Sequence, residues 1–216
     1  PPIIERDLTL NPKSVYTANG HVIVPEGVTL TIPEGAILRM PPLGDLRVSG
    51  RLEMNGTDLN PILVESHRAS ERWGSIAIVD GEGVSQLSHV VLRGGSLGSN
   101  PALERGTISI VRSEVEMDHL DIDQGLIPIF GWESTVSLRS SRIHTLHTGD
   151  GINVKHGEGL VEDCTFPGNT ERDTDAIDFD DVTNGIIRNN RIYAFRGPNS
   201  DGIDVGEGCV DLLVTG

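Results

Sequence analysis

The sequence predicts an all-β chain wound as a right-handed parallel β-helix, a solenoid in a single domain, and three observations predict it. A short phrase recurs toward the C-terminal end: Asp150-Gly151-Ile152-Asn153-Val154, Asp175-Ala176-Ile177-Asp178-Phe179 and Asp201-Gly202-Ile203-Asp204-Val205. Its starts lie 25 and 26 residues apart, too far for a hairpin and about the length of one solenoid coil. Elsewhere apolar residues alternate with polar ones in short runs, with no helical period of useful length. Finally, aromatic residues make up 4% of the chain while glycines number 26, a composition suited to repeated turns around a thin aliphatic core. An up-and-down antiparallel barrel would set consecutive strands face to face and would not produce columns at coil spacing.

The entry region, residues 1–72, holds short strands. Val22 and Val24, then Val28, Leu30 and Ile32, each run into the same Pro-Glu-Gly turn at 25–27 and 33–35. Proline removes a ladder donor and the following glycine accepts positive φ, so a strand ends at each turn. Leu46 and Val48, Leu52 and Met54, then Ile62 and Val64 extend the pattern.

Residues 73–216 follow a two-part template, an apolar-x-apolar strand, a polar turn and a second strand. The first part reads Ile76-Ala77-Ile78, Ile108-Ser109-Ile110, Ile127-Pro128-Ile129, Ile152-Asn153-Val154, Ile177-Asp178-Phe179 and Ile203-Asp204-Val205. The second begins at Leu87, Met117, Leu138, Val161, Ile187 and Val214, with further inward positions at Val90 and Leu92, Leu120 and Ile122, Ser141 and Ile143, Cys164 and Phe166, and Asn190 and Ile192. An inward Asn190 requires hydrogen-bond partners along the stack. Residues 94–105, rich in Gly, Ser and Asn, are expected to leave the stack as a surface loop. The last strand stops at Gly216 where its predecessor continues, so further chain or a partner, a second copy among the options, is expected at that open coil end.

Three stretches resemble bacterial secreted β-helix proteins, including modules found with spore-coat-H type domains. They are Val24-Pro25-Glu26-Gly27-Val28-Thr29-Leu30-Thr31-Ile32-Pro33-Glu34-Gly35, Leu46-Arg47-Val48-Ser49-Gly50-Arg51-Leu52 and Trp73-Gly74-Ser75-Ile76. The resemblance implies the β-helix fold and a secreted or cell-surface, extracytoplasmic location. It implies little about chemistry, because such modules occur in adhesins, surface proteins and polysaccharide enzymes alike.

The formal charge is −15, and from Asp150 onward 14 acidic residues face 5 Lys and Arg, a local net of −9. Such a surface repels nucleic acid and anionic membranes and attracts divalent cations or basic partners. No stretch reaches the 18 or so apolar residues of a membrane span. Cys164 and Cys209 define no disulfide framework and read as two buried thiols.

With the isoleucine positions inward, Asn153, Asp178 and Asp204 point outward in one column, and Asp150, Asp175 and Asp201 form another at the preceding turn. Stacked carboxylates raise one another's pKa or recruit a cation. Calcium accepts six to eight oxygens in flexible geometry, so Asp175, Asp178, Asp180, Asp201 and Asp204 are the candidate ligands. The plainer reading is that these residues are solvated turn formers.

The string Asn199-Ser200-Asp201-Gly202 resembles the Asn-Thr-Asp-Gly motif of polygalacturonases, which implies Asp201 as a general acid. The rest of that family's constellation does not follow it, and inverting hydrolysis needs two carboxylates. For lyase chemistry on a uronate polymer, Lys155 is the base candidate and Asp178 lies in the same cleft. His144, His147 and His156 cluster in sequence, with His147 and His156 expected near Asp150, whereas His89 and His119 occupy equivalent second-strand positions and are expected to stack outward. Trp73, Trp132 and Tyr193 are expected to be exposed and available to sugar rings. The leading expectation is a non-catalytic extracytoplasmic module with a calcium-binding acidic edge and a surface-attachment or carbohydrate-binding role. A lyase or hydrolase acting on an acidic glycan, and a purely structural spacer, are the competitors.

Overall fold

The computed structural model describes residues 3–145, 147 and 149–216. Regular structure among them is entirely β, in strands of two to ten residues paired in parallel with strands one coil away. An eight-stranded sheet stacks Val22–Val24, Leu46–Val48, Ile76–Val79, Ile108–Val111, Ile129–Trp132, Ile152–Lys155, Ile177–Asp180 and Ile203–Val205. The remaining fifteen strands form a second sheet. The core is a column of Ile, Val, Leu, Met and Phe filling the space between them. Each coil exposes its apolar cross-section until the next covers it, so stability is shared between neighbours.

The coil has three sides where the sequence suggested two. Val84–Arg93 and Glu114–Asp123 each turn a corner at a histidine, His89 and His119, both with φ of 52°. In the next three coils the same corner falls at Ser140, Asp163 and Asn189, again with positive φ, and there it splits the strand in two. Side chains other than glycine enter this left-handed region at some cost, least for Asn, Asp and His. The cost is offset by bonds between coils: the amides of Ser140, Asp163 and Asn189 donate to the carbonyls of Glu162, Arg188 and Thr215.

Directly after this corner, Ser141 and Asn190 close the polar accounts of the core. Ser141 Oγ accepts from the Leu120 amide at 2.9 Å, and Asn190 Oδ1 accepts from the Cys164 amide at 2.8 Å while its Nδ2 donates to the Val161 carbonyl at 2.9 Å. Asn190→Ala orphans a donor and an acceptor and is expected to destabilise the chain by about 1–3 kcal/mol, measured by chemical denaturation. Cys164 is buried as expected, but Cys209 is only half-buried.

The template is also displaced in one coil. Ile129, not Ile127, pairs with Ile108 and Ile152, so the strand runs Ile129–Trp132 with Gly131 at the inward position occupied elsewhere by Ile110 and Val154. A Cβ at Gly131 would stand 2.8 Å from Val136 Cγ2, so no larger residue fits there. A two-residue shift keeps the alternation of faces, so Phe130 and Trp132 stay outward and come level with Asn153 and Lys155.

Residues 94–105 do leave the stack, yet they are packed onto it. Arg47 holds Glu104 through both carboxylate oxygens, at 2.9 and 3.1 Å. The Ser96 amide donates to the Gly74 carbonyl, and Ser99 binds the fully buried Asp45 through both its amide and its hydroxyl. Asp45 also accepts from the Ser75 amide, and a Cβ at Gly74 would meet its Oδ1 at 2.0 Å.

Candidate functional site

The outer face of the eight-stranded sheet carries two columns of side chains fixed by register. One runs Arg47, Ala77, Ser109, Phe130, Asn153, Asp178, Asp204, and the other ends in Trp132, Lys155, Asp180. The 94–105 segment covers the early part: Ala77, Ser109 and Phe130 are buried, and the Arg105 guanidinium lies 5.5 Å from the centre of the Phe130 ring. Beyond it the face opens, from Trp132 to Asp204.

Within this open face the carboxylates are tied to particular donors. Asn153 Nδ2 donates to Asp150 Oδ2 at 2.7 Å and to Asp178 Oδ2. Lys155 Nζ donates to Asp180 and lies 3.9 Å from Asp178 Oδ2. In the turn column, Asp150 Oδ1 accepts from the Asp175 amide at 3.1 Å, and Asp175 Oδ1 accepts from the Asp201 amide. Asp150 and Asp175 thus each accept a backbone hydrogen bond from the coil that follows.

Burial and crowding shift these groups unequally. Burial, then the charges of Asp150 and Asp180, push Asp178 up to about 7 against the pull of Lys155. Burial raises Asp175 to about 6, with Asp150, Asp204 and Asp201 adding to it and the Asp201 amide opposing it. For Lys155 burial disfavours the charge, but the Asp180 hydrogen bond and the fields of Asp178, Asp180 and Asp150 together outweigh it and hold its pKa above the ordinary value. Lys155 is therefore a firm cation. A base that abstracts a proton must first lose its own, which these carboxylates oppose.

The ladder of parallel registers establishes the solenoid from geometry, and a comparison of the sequence with known families arrives at the same architecture. Residues 2–96 match the family model of a pectate-lyase like beta helix domain. No curated protein and no solved structure gives a significant match. The match runs past the entry coils and ends at the start of the 94–105 segment, so the acidic face of the β-helix lies outside it.

Of the candidate site residues, the β-helix brings Asp178 and Asp204 directly opposite each other on adjoining strands, with Lys155 beside Asp178 and Asp180. Asp175 and Asp201 sit at the turn that leads into these strands. Asp201 and Asp204 are exposed. His89 and His119 stack as expected, whereas His144, His147 and His156 do not form a cluster. His147 Nε2 lies 2.8 Å from Arg72, His156 pairs with Asp181 at 3.1 Å and His144 faces Asp121 at 3.7 Å, so the three have separate partners. Trp73 is a correction too: it is fully buried, its Nε1 donating to the Arg93 carbonyl at 2.7 Å. Trp132 is half-buried on the open face, edge-on to His156 at 4.6 Å, while Tyr193 lies on another side of the coil. Sequence reasoning missed Asn153 as an organising residue, although its place in the outward column was legible.

Proposed function

We propose that this β-helix is a non-catalytic glycan-binding module of an extracytoplasmic, cell-surface setting, with the open face from Trp132 to Asp204 as its binding surface. The observation that supports this most is the register of Trp132 with Lys155 and of Asn153 with Asp178 and Asp204. It sets an aromatic ring, an amide, an ammonium and carboxylates side by side on one flat surface. Sugars present apolar ring faces and paired hydroxyls, which aromatic rings and polar fork-like groups respectively accept. Carboxylates outnumber the single lysine here, so an acidic glycan needs a counter-ion. Calcium is that ion in this reading, drawn to the oxygens of Asp178 and Asp204 with Asp175, Asp180 and Asp201 around them.

A second reading has one observation in its favour: a carboxylic acid held near 7, as Asp178 is, has the pKa that a general acid uses. That would make Asp178, Asp201 and Lys155 parts of a hydrolase or lyase acting on a uronate polymer. Binding to neutral and uronate polysaccharides, with and without calcium, separates the readings when reducing ends and unsaturated ends are assayed in parallel. The expected result is binding without turnover, weakened about tenfold or more by Trp132→Ala, equivalent to roughly 1.4 kcal/mol. Turnover lost in Asp178→Asn would move the assignment to the enzyme, and no binding to any polymer in either buffer would leave a structural spacer.

A further inference from the structure

A second group of ligating side chains lies on a different edge of the β-helix, at the corner between the two faces of the fifteen-stranded sheet. His89 and His119 occupy the same corner position on adjoining coils, flanked by the pairs Ser88 with Asp118 and Val90 with Leu120. Their rings stack at 4.5 Å and 6°. Asp58 reaches the same point from the turn of the preceding coil, its Oδ1 3.1 Å from His89 Nε2. One ligand atom from each of the three residues lies within 4.8 Å of the others.

The surroundings hold these groups in place. The turn carrying Asp58 is closed by reciprocal backbone bonds between Thr57 and Asn60, at 3.2 and 3.1 Å, and is docked by the Gly56 amide on the Ser88 carbonyl at 2.9 Å. A Cβ at Gly56 would stand 2.2 Å from the His89 carbonyl oxygen, so only glycine lets the turn come this close. The Nδ1 atoms are both occupied. His89 Nδ1 meets Ser88 Oγ at 2.8 Å, and His119 Nδ1 meets Asp118 Oδ2 at 2.8 Å. A partner on Nδ1 orients the ring and leaves Nε2 as the ligand, which is the arrangement that outer groups impose on metal-binding histidines. The three residues line a hollow that also holds Thr57, Pro61 and Arg142, with room for a water ligand.

We propose that Asp58, His89 and His119 bind a late first-row divalent metal ion, zinc foremost, clamping the 56–60 turn to two successive coils. Two imidazoles and one carboxylate select such an ion over calcium, which takes oxygen ligands. Zinc bonds to nitrogen at about 2.0–2.1 Å, so binding tilts the stacked rings until both Nε2 atoms point at one ion. The half-exposed His119 ring is free to make that movement. Water completes the shell from the open side.

The test is calorimetric titration of zinc chloride into the chelator-treated chain, with histidine ring resonances and melting temperature followed in parallel. Asn tolerates the left-handed backbone of both histidine positions, so His89→Asn and His119→Asn preserve the corner, and Asp58→Asn alters only an exposed turn. The expected result is one ion per chain, a higher melting temperature with zinc, and shifts of the His89 and His119 resonances. Each of the three variants should weaken binding at least tenfold, and Asp118→Asn should weaken it by about tenfold through the ring it orients. The His89 and His119 resonances report this corner and not the acidic face, which keeps this result separate from the fate of the glycan-binding reading. Failure of the folded chain to bind zinc, or affinity unchanged in Asp58→Asn and in either histidine variant, overturns the proposal.

Discussion

Replacing Phe179 by alanine is expected to lower the stability of the chain by about 3–5 kcal/mol, the range for emptying a fully buried aromatic site. Phe179 is wholly enclosed. Its ring lies over Gly159 of the facing sheet, where a Cβ would stand 2.5 Å from Phe179 Cζ. The ring therefore fills space that Gly159 leaves open, on the inner side of the strand that presents Asp178 and Asp180 outward. Gly159→Ala, by overpacking the same contact, is expected to cost about 1–3 kcal/mol. Combined with Phe179→Leu it should cost less than the two single losses added, because the smaller side chain makes room for the methyl. Urea denaturation with an unchanged slope measures each value. A loss under about 1 kcal/mol for Phe179→Ala would mean that the neighbouring coils collapse into the space, and the packing account of this strand would be wrong.

Asp178→Asn is expected to stabilise the chain at pH 8 and to do nothing at pH 4. The carboxyl is pushed up to about 7 in the folded chain, mainly by burial, against about 3.9 when unfolded. Between those values the folded chain keeps a proton that the unfolded chain has released, so stability falls as pH rises. The penalty is absent below about pH 4 and complete above about pH 7. At about 1.36 kcal/mol per pKa unit, the gap implies an effect on the order of 1–3 kcal/mol once partial solvation and Lys155 are allowed for. Asparagine removes the charge while its carbonyl still accepts from Asn153. Melting temperatures of both chains at pH 4, 6 and 8 give the profile directly. Added calcium should narrow the difference at pH 8, because an ion beside Asp178 stabilises the ionised wild-type carboxylate and gains nothing comparable from the amide. Equal stability of the two chains at pH 8 without calcium would show that Lys155 already neutralises the site.

Much of this architecture was readable because a solenoid places residues one repeat apart in sequence directly above one another in space. The period of the Asp-Gly-Ile phrases was enough to put Asp178 against Asp204, and the pattern of inward residues was enough to put Asn190 where it needed partners. The third side of the coil also left a trace. Leu87 to Val90 is a step of three in a pattern of twos, and the extra residue is the left-handed corner at His89. The register of Trp132 beside Lys155 left none, since Ile127 and Ile129 fit the template equally well and Gly131, close against Val136, takes the inward place that follows Ile129.

The sequence by itself therefore determined the vertical order of this β-helix: its strands, its period, and the columns of acids and amides that follow from them. Tertiary structure decided what lies sideways across the coils. It brought the 94–105 segment down onto Ala77, Ser109 and Phe130 through Arg47 and Glu104, drew Trp73 into the core, and carried Asp58 to His89 and His119. Repetition encodes contacts between successive turns of the chain, whereas a loop or a turn takes its place by local packing and hydrogen bonding, which leave no period to read.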